Sequence, residues 1–140
     1  MKLPIKKLHP EAKLPTYAHA GDAGMDIYAL QDVVVEAGKR ALIKTGIAMA
    51  IPAGYVGLLW DKSGLANNHG LTIVGGVVDA GHRGEILVGL LNTGEKNHTF
   101  QAGDKVTQML IQPVTQAILT EVEELDDTTR GECRFGSTGR

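Results

Sequence analysis

The sequence predicts an all-β domain, and three observations favour that class. Apolar runs of four to seven residues recur along the chain and are bounded by Gly, Pro, Asn or Asp, as short strands are. No stretch places apolar residues at i, i+3, i+4 and i+7 across three helical turns. Glycine accounts for 18 of the 140 residues, about 13% against roughly 7% in an average protein, which suits a fold with many tight turns.

The predicted elements follow one another as strands, with a single helical turn at Ser63–Asn67. Glycines that permit positive φ lie in the connections Glu36–Lys39, Pro52–Gly54, Asn92–Glu95 and Gln101–Asp104. The predicted strands are Asp26–Ala29, Val33–Val35, Arg40–Thr45, Ile47–Ile51, Tyr55–Trp60, Leu71–Val74, Glu85–Leu91, Lys105–Gln112 and Ala117–Val122.

Length and composition bound the function. A chain of 140 residues with 43% hydrophobic residues is enough for one domain. Fourteen basic against sixteen acidic residues argue against a nucleic-acid surface, and the apolar runs are too short to span a membrane. The N-terminus lacks the apolar region of a signal peptide, so we expect a cytoplasmic protein. The single cysteine, Cys133, excludes an internal disulfide and a multi-cysteine zinc site.

Two regions depart from a plain strand-and-turn pattern. The segment Leu71–Gly84 places Asp79 in a glycine-rich bend directly after an apolar strand. The last eleven residues, Arg130–Arg140, follow the acidic run Glu121–Asp127 and carry a basic residue, an aromatic and two hydroxyls among glycines. We therefore expect a single β-barrel domain at residues 1–129 and a mobile arm at residues 130–140 that closes over a ligand.

Glycine beside Ser, Lys or Arg suits phosphate binding, because bare amides approach the oxygens closely. Lys62-Ser63-Gly64 and Gly136-Ser137-Thr138-Gly139 have this character, although either is also a plausible tight turn and neither is a Walker loop. Asp26 and Asp79 lie at strand borders, where a carboxylate either caps a turn or meets a water or a metal-bound polyphosphate. Oxygen-rich surroundings favour Mg²⁺ over zinc.

The same segments resemble the five ordered motifs of the trimeric dUTP diphosphatase (dUTPase) family. The resemblance extends from Ala20 to Gly139, nearly the whole chain. It implies a distorted β-barrel or jelly-roll (β-clip) with a flexible C-terminal arm. The segments that carry it are Ala23–Tyr28, Lys62–Ala66, Gly76–Asp79 with Arg83–Glu85, Gly103–Gln108, and Arg130–Gly131 with Phe135–Gly139.

The resemblance implies Mg²⁺-dependent hydrolysis of dUTP to dUMP and pyrophosphate, which limits uracil in DNA and supplies dUMP for thymidylate synthesis. It also implies a homotrimer with shared active sites. Asp79 would deprotonate the attacking water, and Asp26 would hold Mg²⁺ through water. Substrate contacts would come from Lys62, Ser63, Gly64 and Gln108 on phosphates, from Ile73, Gly76, Val77 and Val78 on uracil, and from Arg130, Phe135, Gly136, Ser137 and Thr138 of the closing arm.

Four positions depart from the family pattern. Lys62 replaces the usual Arg, so a point charge stands in for a bidentate phosphate contact. His82 takes the place of a Tyr that packs on the deoxyribose. Ile73 stands where many relatives have Asn, which leaves only main-chain contacts for the base. Cys133 and Arg134 replace two glycines of the arm.

Two alternatives stay open from the residues. One is a dCTP deaminase, alone or bifunctional, and the other is a non-enzymatic nucleotide-binding regulator. Deaminases that share the fold carry a proton-shuttling glutamate where this chain has Gly89, and Glu85 lies about 13 Å away along the same strand. The sequence therefore predicts that dCTP is not deaminated.

Overall fold

The computed structural model describes residues 1–129 and 131–132, and within them it contains one short helix among strands. The elements in chain order are β1 (Ile5–Lys7), β2 (Met25–Tyr28), β3 (Val33–Val35), β4 (Arg40–Met49), β5 (Tyr55–Trp60), α1 (Ser63–His69), β6 (Leu71–Val74), β7 (Val77–Val78), β8 (Glu85–Asn92), β9 (His98–Phe100) and β10 (Lys105–Pro113). The all-β prediction is confirmed.

The strands form two antiparallel four-stranded sheets and one two-stranded antiparallel sheet. The first sheet has the order β1-β4-β8-β6, the second has the order β2-β10-β5-β7, and β3 pairs with β9. Buried apolar side chains from both large sheets form a single cluster, with Ile43 and Val88 from one sheet and Ile27 and Met109 from the other. This common core fixes the second sheet, which carries most of the site described below.

Strand β4 joins two strands that the sequence predicts as separate. Gly46 adopts a φ of 69°, and the pairing of β4 with β8 shifts register between Lys44 and Ala48. The amide of Gly46 donates to Glu85 Oε1 at 2.8 Å, which satisfies a group that the ladder leaves unpaired. The glycine therefore marks a β-bulge within one strand rather than a turn between two.

The predicted strand Ala117–Val122 is wrong. This segment forms no strand, and Ile118 and Leu119 are 95% and 93% exposed. Its apolar pattern is typical of a strand, but a strand forms only where another strand offers paired backbone groups. Three short strands, β1, β7 and β9, were not predicted.

The helix begins where the sequence predicts, at Ser63, but runs two residues further, to His69. Gly70 ends it with a φ of 68°, and its amide donates to the carbonyls of Ala66 and Leu65. This is a left-handed glycine cap. Among the described residues, no helix has the length and apolarity needed to cross a bilayer.

A histidine pair joins the end of α1 to β9, and it predicts a pH-dependent stability. The rings of His69 and His98 are 4.6 Å apart, and His98 also packs against Phe100. Burial lowers the pKa of His98 below its ordinary 6.5, the charge of His69 lowers it further, and Asp104 acts in the opposite direction.

Because the folded protein disfavours protonated His98, its contribution to stability is complete above pH 6.5 and is lost as the pH falls through the lower folded pKa. We expect the melting temperature to fall as the pH is lowered from about 7 to about 5. His98→Asn should flatten that pH dependence, as measured by circular dichroism melts. A dependence of equal slope in the variant would contradict the assignment.

Candidate active site

Three of the predicted motifs meet in one row of residues that runs across β2, β10 and β5 of the second sheet. The register pairs Gln108 of β10 with Asp26 of β2 on one side and with Trp60 of β5 on the other. Lys62 follows two residues after the end of β5, so it reaches the same row of residues. Directly opposed residues of antiparallel strands have Cβ atoms about 5 Å apart. The pairing therefore brings together residues that are up to 82 positions apart in sequence.

Asp26 is the central residue of this group. It is only 4% exposed, and the Nζ atoms of Lys62 and Lys105 lie 2.5 and 2.6 Å from its Oδ1 and Oδ2. Burial raises the pKa of Asp26, whereas the hydrogen bonds and charges of Lys105 and Lys62 lower it, and the net pKa is below its ordinary 3.8. The buried carboxylate is thus neutralised by two ammonium groups at the same place.

A cavity of about 590 Å³ opens over Asp26. Gln108 lines this cavity, and its Nε2 donates to the carbonyl of Asp61 at 2.8 Å. Gly24 makes room for it, because a Cβ at Gly24 would lie 2.5 Å from Gln108 Oε1. The lining residues are Ala18, Asp22, Ala23, Gly24, Asp26, Trp60, Asp61, Lys62, Lys105, Gln108 and Leu110. Ser63 and Gly64 begin α1 directly after Lys62 and are exposed.

The predicted uracil-reading residues extend from Ile73 in β6, through the bend at Gly75 and Gly76, to Val77 and Val78 of β7. Gly75 has a φ of 72°, and the carbonyl of Gly76 accepts the amide of Leu59 at 2.7 Å. A Cβ at Gly76 would lie 2.6 Å from the carbonyl oxygen of Leu59, so only glycine allows this close approach. A second cavity, of about 310 Å³, is lined by Leu58, Leu59, Trp60, Asp61, Thr72, Ile73, Gly76 and Val77.

Asp79 lies outside both of these cavities. It borders a third one, of about 220 Å³, together with Val78, His82 and Glu85 among others. The bend after Asp79 is braced locally: its carbonyl accepts the amide of His82 at 3.0 Å, and Arg83 Nη1 donates to the carbonyls of Ala80 and His82. Within one chain, then, Asp79 is not placed in the cavity that contains Asp26.

Five of the predicted substrate contacts lie outside the described residues: Arg130, Phe135, Gly136, Ser137 and Thr138. In the described part of the chain, no three His, Cys, Asp or Glu side chains are grouped so as to hold a metal ion. The carboxylate of Asp26 is the candidate contact for Mg²⁺, and its two oxygens each face a lysine ammonium, Lys62 at Oδ1 and Lys105 at Oδ2. That donor set fits an ion that keeps its waters and is held mainly by substrate phosphates.

Sequence reasoning missed three residues of the site. Lys105 and Asp61 both stand inside or beside the quoted motifs, but neither was assigned a role. The structure pairs Lys105 with Asp26 and uses Asp61 to receive three hydrogen bonds. Arg83, inside the third motif, braces the bend that carries Asp79. Each of these contacts except that of Arg83 joins residues distant in sequence, and only proximity to a motif signalled them.

The sequence model of one protein family covers most of the chain. The dUTPase family model matches residues 10–139. The chain belongs to the dUTPase family. A deoxyuridine 5'-triphosphate nucleotidohydrolase of Thermobifida fusca (strain YX) is 49% identical over 99% of this chain and 79% of its own length. Another with that name, from Syntrophotalea carbinolica, is 47% identical over 96% of this chain and 95% of its own length.

Solved dUTPase structures share the fold. The dUTPase of Staphylococcus bacteriophage 80alpha with dUPNHPP is 32% identical and superposes with a TM-score of 0.93, covering 99% of each chain. A mutant dUTPase from phage phi11 of S. aureus, described as revealing the coordination of a structural Mg(II) ion, is 31% identical with a TM-score of 0.82. It covers 89% of this chain and 98% of its own. The dUTPase-like fold class predicted from the sequence is therefore confirmed.

Proposed function

We propose that this dUTPase-family chain hydrolyses dUTP to dUMP and pyrophosphate with Mg²⁺, and so limits uracil in DNA and supplies dUMP for thymidylate synthesis. The observation that carries the proposal is the cavity where buried Asp26 meets Lys62, Lys105 and Gln108. Polyphosphate hydrolysis needs charge neutralisation and positioning, and these groups supply both. The relatives' name, deoxyuridine 5'-triphosphate nucleotidohydrolase, agrees. A cytoplasmic location stays a prediction.

In this proposal the protein mainly positions charge around the triphosphate. The ammonium of Lys62 and the hydroxyl of Ser63 bind phosphate oxygens. Gly64 is exposed, with nothing within 4 Å of the position that a Cβ would occupy, so a phosphate can approach its amide. Gln108 orients the same region through its amide. Mg²⁺, when bound, would neutralise charge on the triphosphate, and Asp26 would hold it through water.

Asp79 acts as the general base in this mechanism. Its carboxylate accepts a proton from the water that attacks the α-phosphorus, while the leaving pyrophosphate keeps the negative charge that the lysines offset. The bend Ile73–Val78 reads the uracil through main-chain groups, which the close packing of Gly76 on Leu59 holds in place. His82, which lines the third cavity together with Asp79, would contact the sugar.

We propose that the active site is completed between copies of the chain in a homotrimer. Asp79 and Asp26 border different cavities, so one chain does not assemble the base and the phosphate site in a single space. Apolar side chains such as Val77, Trp60, Ile118 and Leu119 are exposed in the isolated chain, and burying them is favourable.

Light scattering at micromolar concentration is therefore expected to give about three times the 14.9 kDa chain mass. A mixture of two inactive variants, one altered at Asp79 and one at Asp26, should regain part of the activity after joint refolding, because mixed trimers contain some intact sites. A fully active monomer would contradict the shared site.

Removal of residues 130–140 tests the proposed arm. The dUTPase resemblance implies that Arg130, Phe135, Gly136, Ser137 and Thr138 close over the bound nucleotide. We expect the shortened protein to melt at the same temperature as the full chain but to lose most of its activity, since the core is formed by residues before this segment. Pyrophosphate release and a melting curve measure the two effects. Full activity without these residues would exclude the arm from catalysis.

The deaminase alternative meets a steric obstacle. Gly89 of β8 pairs with Val74 of β6, and a Cβ at this glycine would lie 2.7 Å from the carbonyl oxygen of Val74. A glutamate at this position would have to displace the strand backbone. This geometry leaves no place for a proton-shuttling glutamate, and it therefore favours hydrolysis of the phosphoanhydride of dUTP over deamination of a cytosine ring.

Two assays separate the candidate functions. Pyrophosphate release from dUTP and ammonia release from dCTP should be measured with and without Mg²⁺. We expect pyrophosphate from dUTP, accelerated by Mg²⁺, and no ammonia. Ammonia from dCTP would favour the deaminase, and tight dUTP binding without turnover would favour a regulator.

A further inference from the structure

Asp61 receives three hydrogen bonds, from two separate parts of the site. Its Oδ1 accepts the backbone amide of Ile73 at 2.6 Å, and its Oδ2 accepts the hydroxyl of Thr72 at 2.9 Å. Its own carbonyl accepts Nε2 of Gln108 at 2.8 Å. One residue thus contacts both the strand that leads into the uracil-reading bend and the glutamine of the phosphate cavity.

The side-chain bonds occur at a sheet edge. Among the described residues, strand β6 is the last strand of its sheet and pairs with β8 alone. The side of an edge strand that faces away from its neighbour has unpaired backbone groups. The carboxylate of Asp61 acts in place of a further strand at Ile73, and a hydrogen bond to a charged acceptor is stronger than one between neutral groups.

The cavities also place Asp61 between the phosphate-binding segment and the uracil-reading bend. Asp61 and Trp60 line both the cavity over Asp26 and the cavity along Ile73 and Gly76. We propose that Asp61 is a positioning residue that fixes the uracil-reading bend relative to the phosphate-binding segment. It acts through Ile73 and Thr72 rather than on the substrate. The inference rests on the proposed function and deepens it.

The hydrogen bond from Gln108 goes to the backbone carbonyl of Asp61, so it is kept when the side chain of Asp61 is replaced. A substitution of Asp61 therefore affects the contacts to β6 without removing the contact to Gln108. In Asp61→Ala the phosphate cavity should be preserved while the edge of β6 loses both side-chain bonds. In Asp61→Asn the amide oxygen still accepts from Ile73, and the amide nitrogen can donate to the Thr72 hydroxyl. The asparagine variant is therefore the conservative rescue, and Glu123→Gln, at an exposed position, is the matched control.

The experiment combines hydrogen exchange with two ligands, dUMP and inorganic triphosphate. For Asp61→Ala we expect the Ile73 amide to exchange about tenfold faster and dUMP to bind about tenfold more weakly, because the hydrogen bonds from Ile73 and Thr72 are both lost. Inorganic triphosphate should bind within about twofold of the wild type. Asp61→Asn and Glu123→Gln should resemble the wild type in all three measurements. If Asp61→Ala does not fold, Thr72→Val removes one bond and should give a smaller shift of the same sign.

Unchanged exchange at Ile73, or equal weakening of both ligands, would overturn the positioning role. The proposed function is judged separately, on the wild-type protein. If that protein neither binds dUMP nor hydrolyses dUTP, the proposed function fails, and the exchange rate of Ile73 in Asp61→Ala still decides whether Asp61 holds the strand.

Discussion

Replacing Asp79 with asparagine is expected to lower kcat for dUTP hydrolysis by about 10²–10⁴-fold, the usual contribution of a general base. The amide has nearly the shape of the carboxylate but accepts no proton from the attacking water. The carbonyl of Asp79, which receives the amide of His82, is unaffected. The bend should therefore keep its structure, and nucleotide binding should persist.

The comparison needs a carboxylate of no catalytic importance, and Asp126, which is exposed, provides one. Asp126→Asn should hydrolyse dUTP at the wild-type rate. Steady-state rates and the dissociation constant of a non-hydrolysable dUTP analogue separate chemistry from binding. If Asp79→Asn retains the wild-type kcat, another group is the base.

Replacing Asp26 with asparagine is expected to reduce activity about 10–100-fold, the range for residues that hold a metal through its outer shell. The loss should appear as a higher Mg²⁺ concentration for half-maximal rate. The substitution also leaves the ammonium groups of Lys62 and Lys105 next to each other without their shared counter-charge. The variant should therefore unfold at a lower denaturant concentration than the wild type at neutral pH.

The pH dependence of stability gives a second measurement on Asp26. The folded pKa is below the ordinary 3.8, so the ionised carboxylate contributes full stability above pH 3.8 and loses it as the pH falls through the folded pKa. In Asp26→Asn this part of the acid destabilisation should be absent. Equal acid sensitivity in the two proteins, together with an unchanged Mg²⁺ requirement, would show that Asp26 has neither role.

The sequence predicts the fold well where elements are long enough to show a pattern. Strands such as Tyr55–Trp60 and Leu71–Val74 have the predicted bounds, because apolar runs between glycine-containing turns reflect local physics. The segment Ala117–Val122 has a similar pattern and forms no strand, since pairing depends on a partner that no local pattern reveals. The sequence predicts two strands on either side of Gly46, because a local pattern does not distinguish a glycine in a bulge from a glycine in a turn.

The candidate site likewise contains residues that local motifs predict and residues whose roles depend on distant partners. Asp26, Lys62 and Gln108 were assigned through motifs that a family resemblance identifies, and the strand register explains why they meet. The functions of Asp61 and Lys105 depend on contacts with partners 11 to 79 residues away, which spacing alone does not indicate. The separation of Asp79 from Asp26 into different cavities likewise became visible only in three dimensions.

The position of bond cleavage tests the central claim most directly. The protein should be given dUTP and Mg²⁺ in water enriched in heavy oxygen, and the products should be weighed by mass spectrometry. Attack on the α-phosphorus by a water that Asp79 activates predicts one heavy oxygen in dUMP and none in the pyrophosphate. Heavy oxygen in the pyrophosphate, or the formation of dUDP and phosphate instead, would contradict the proposed reaction.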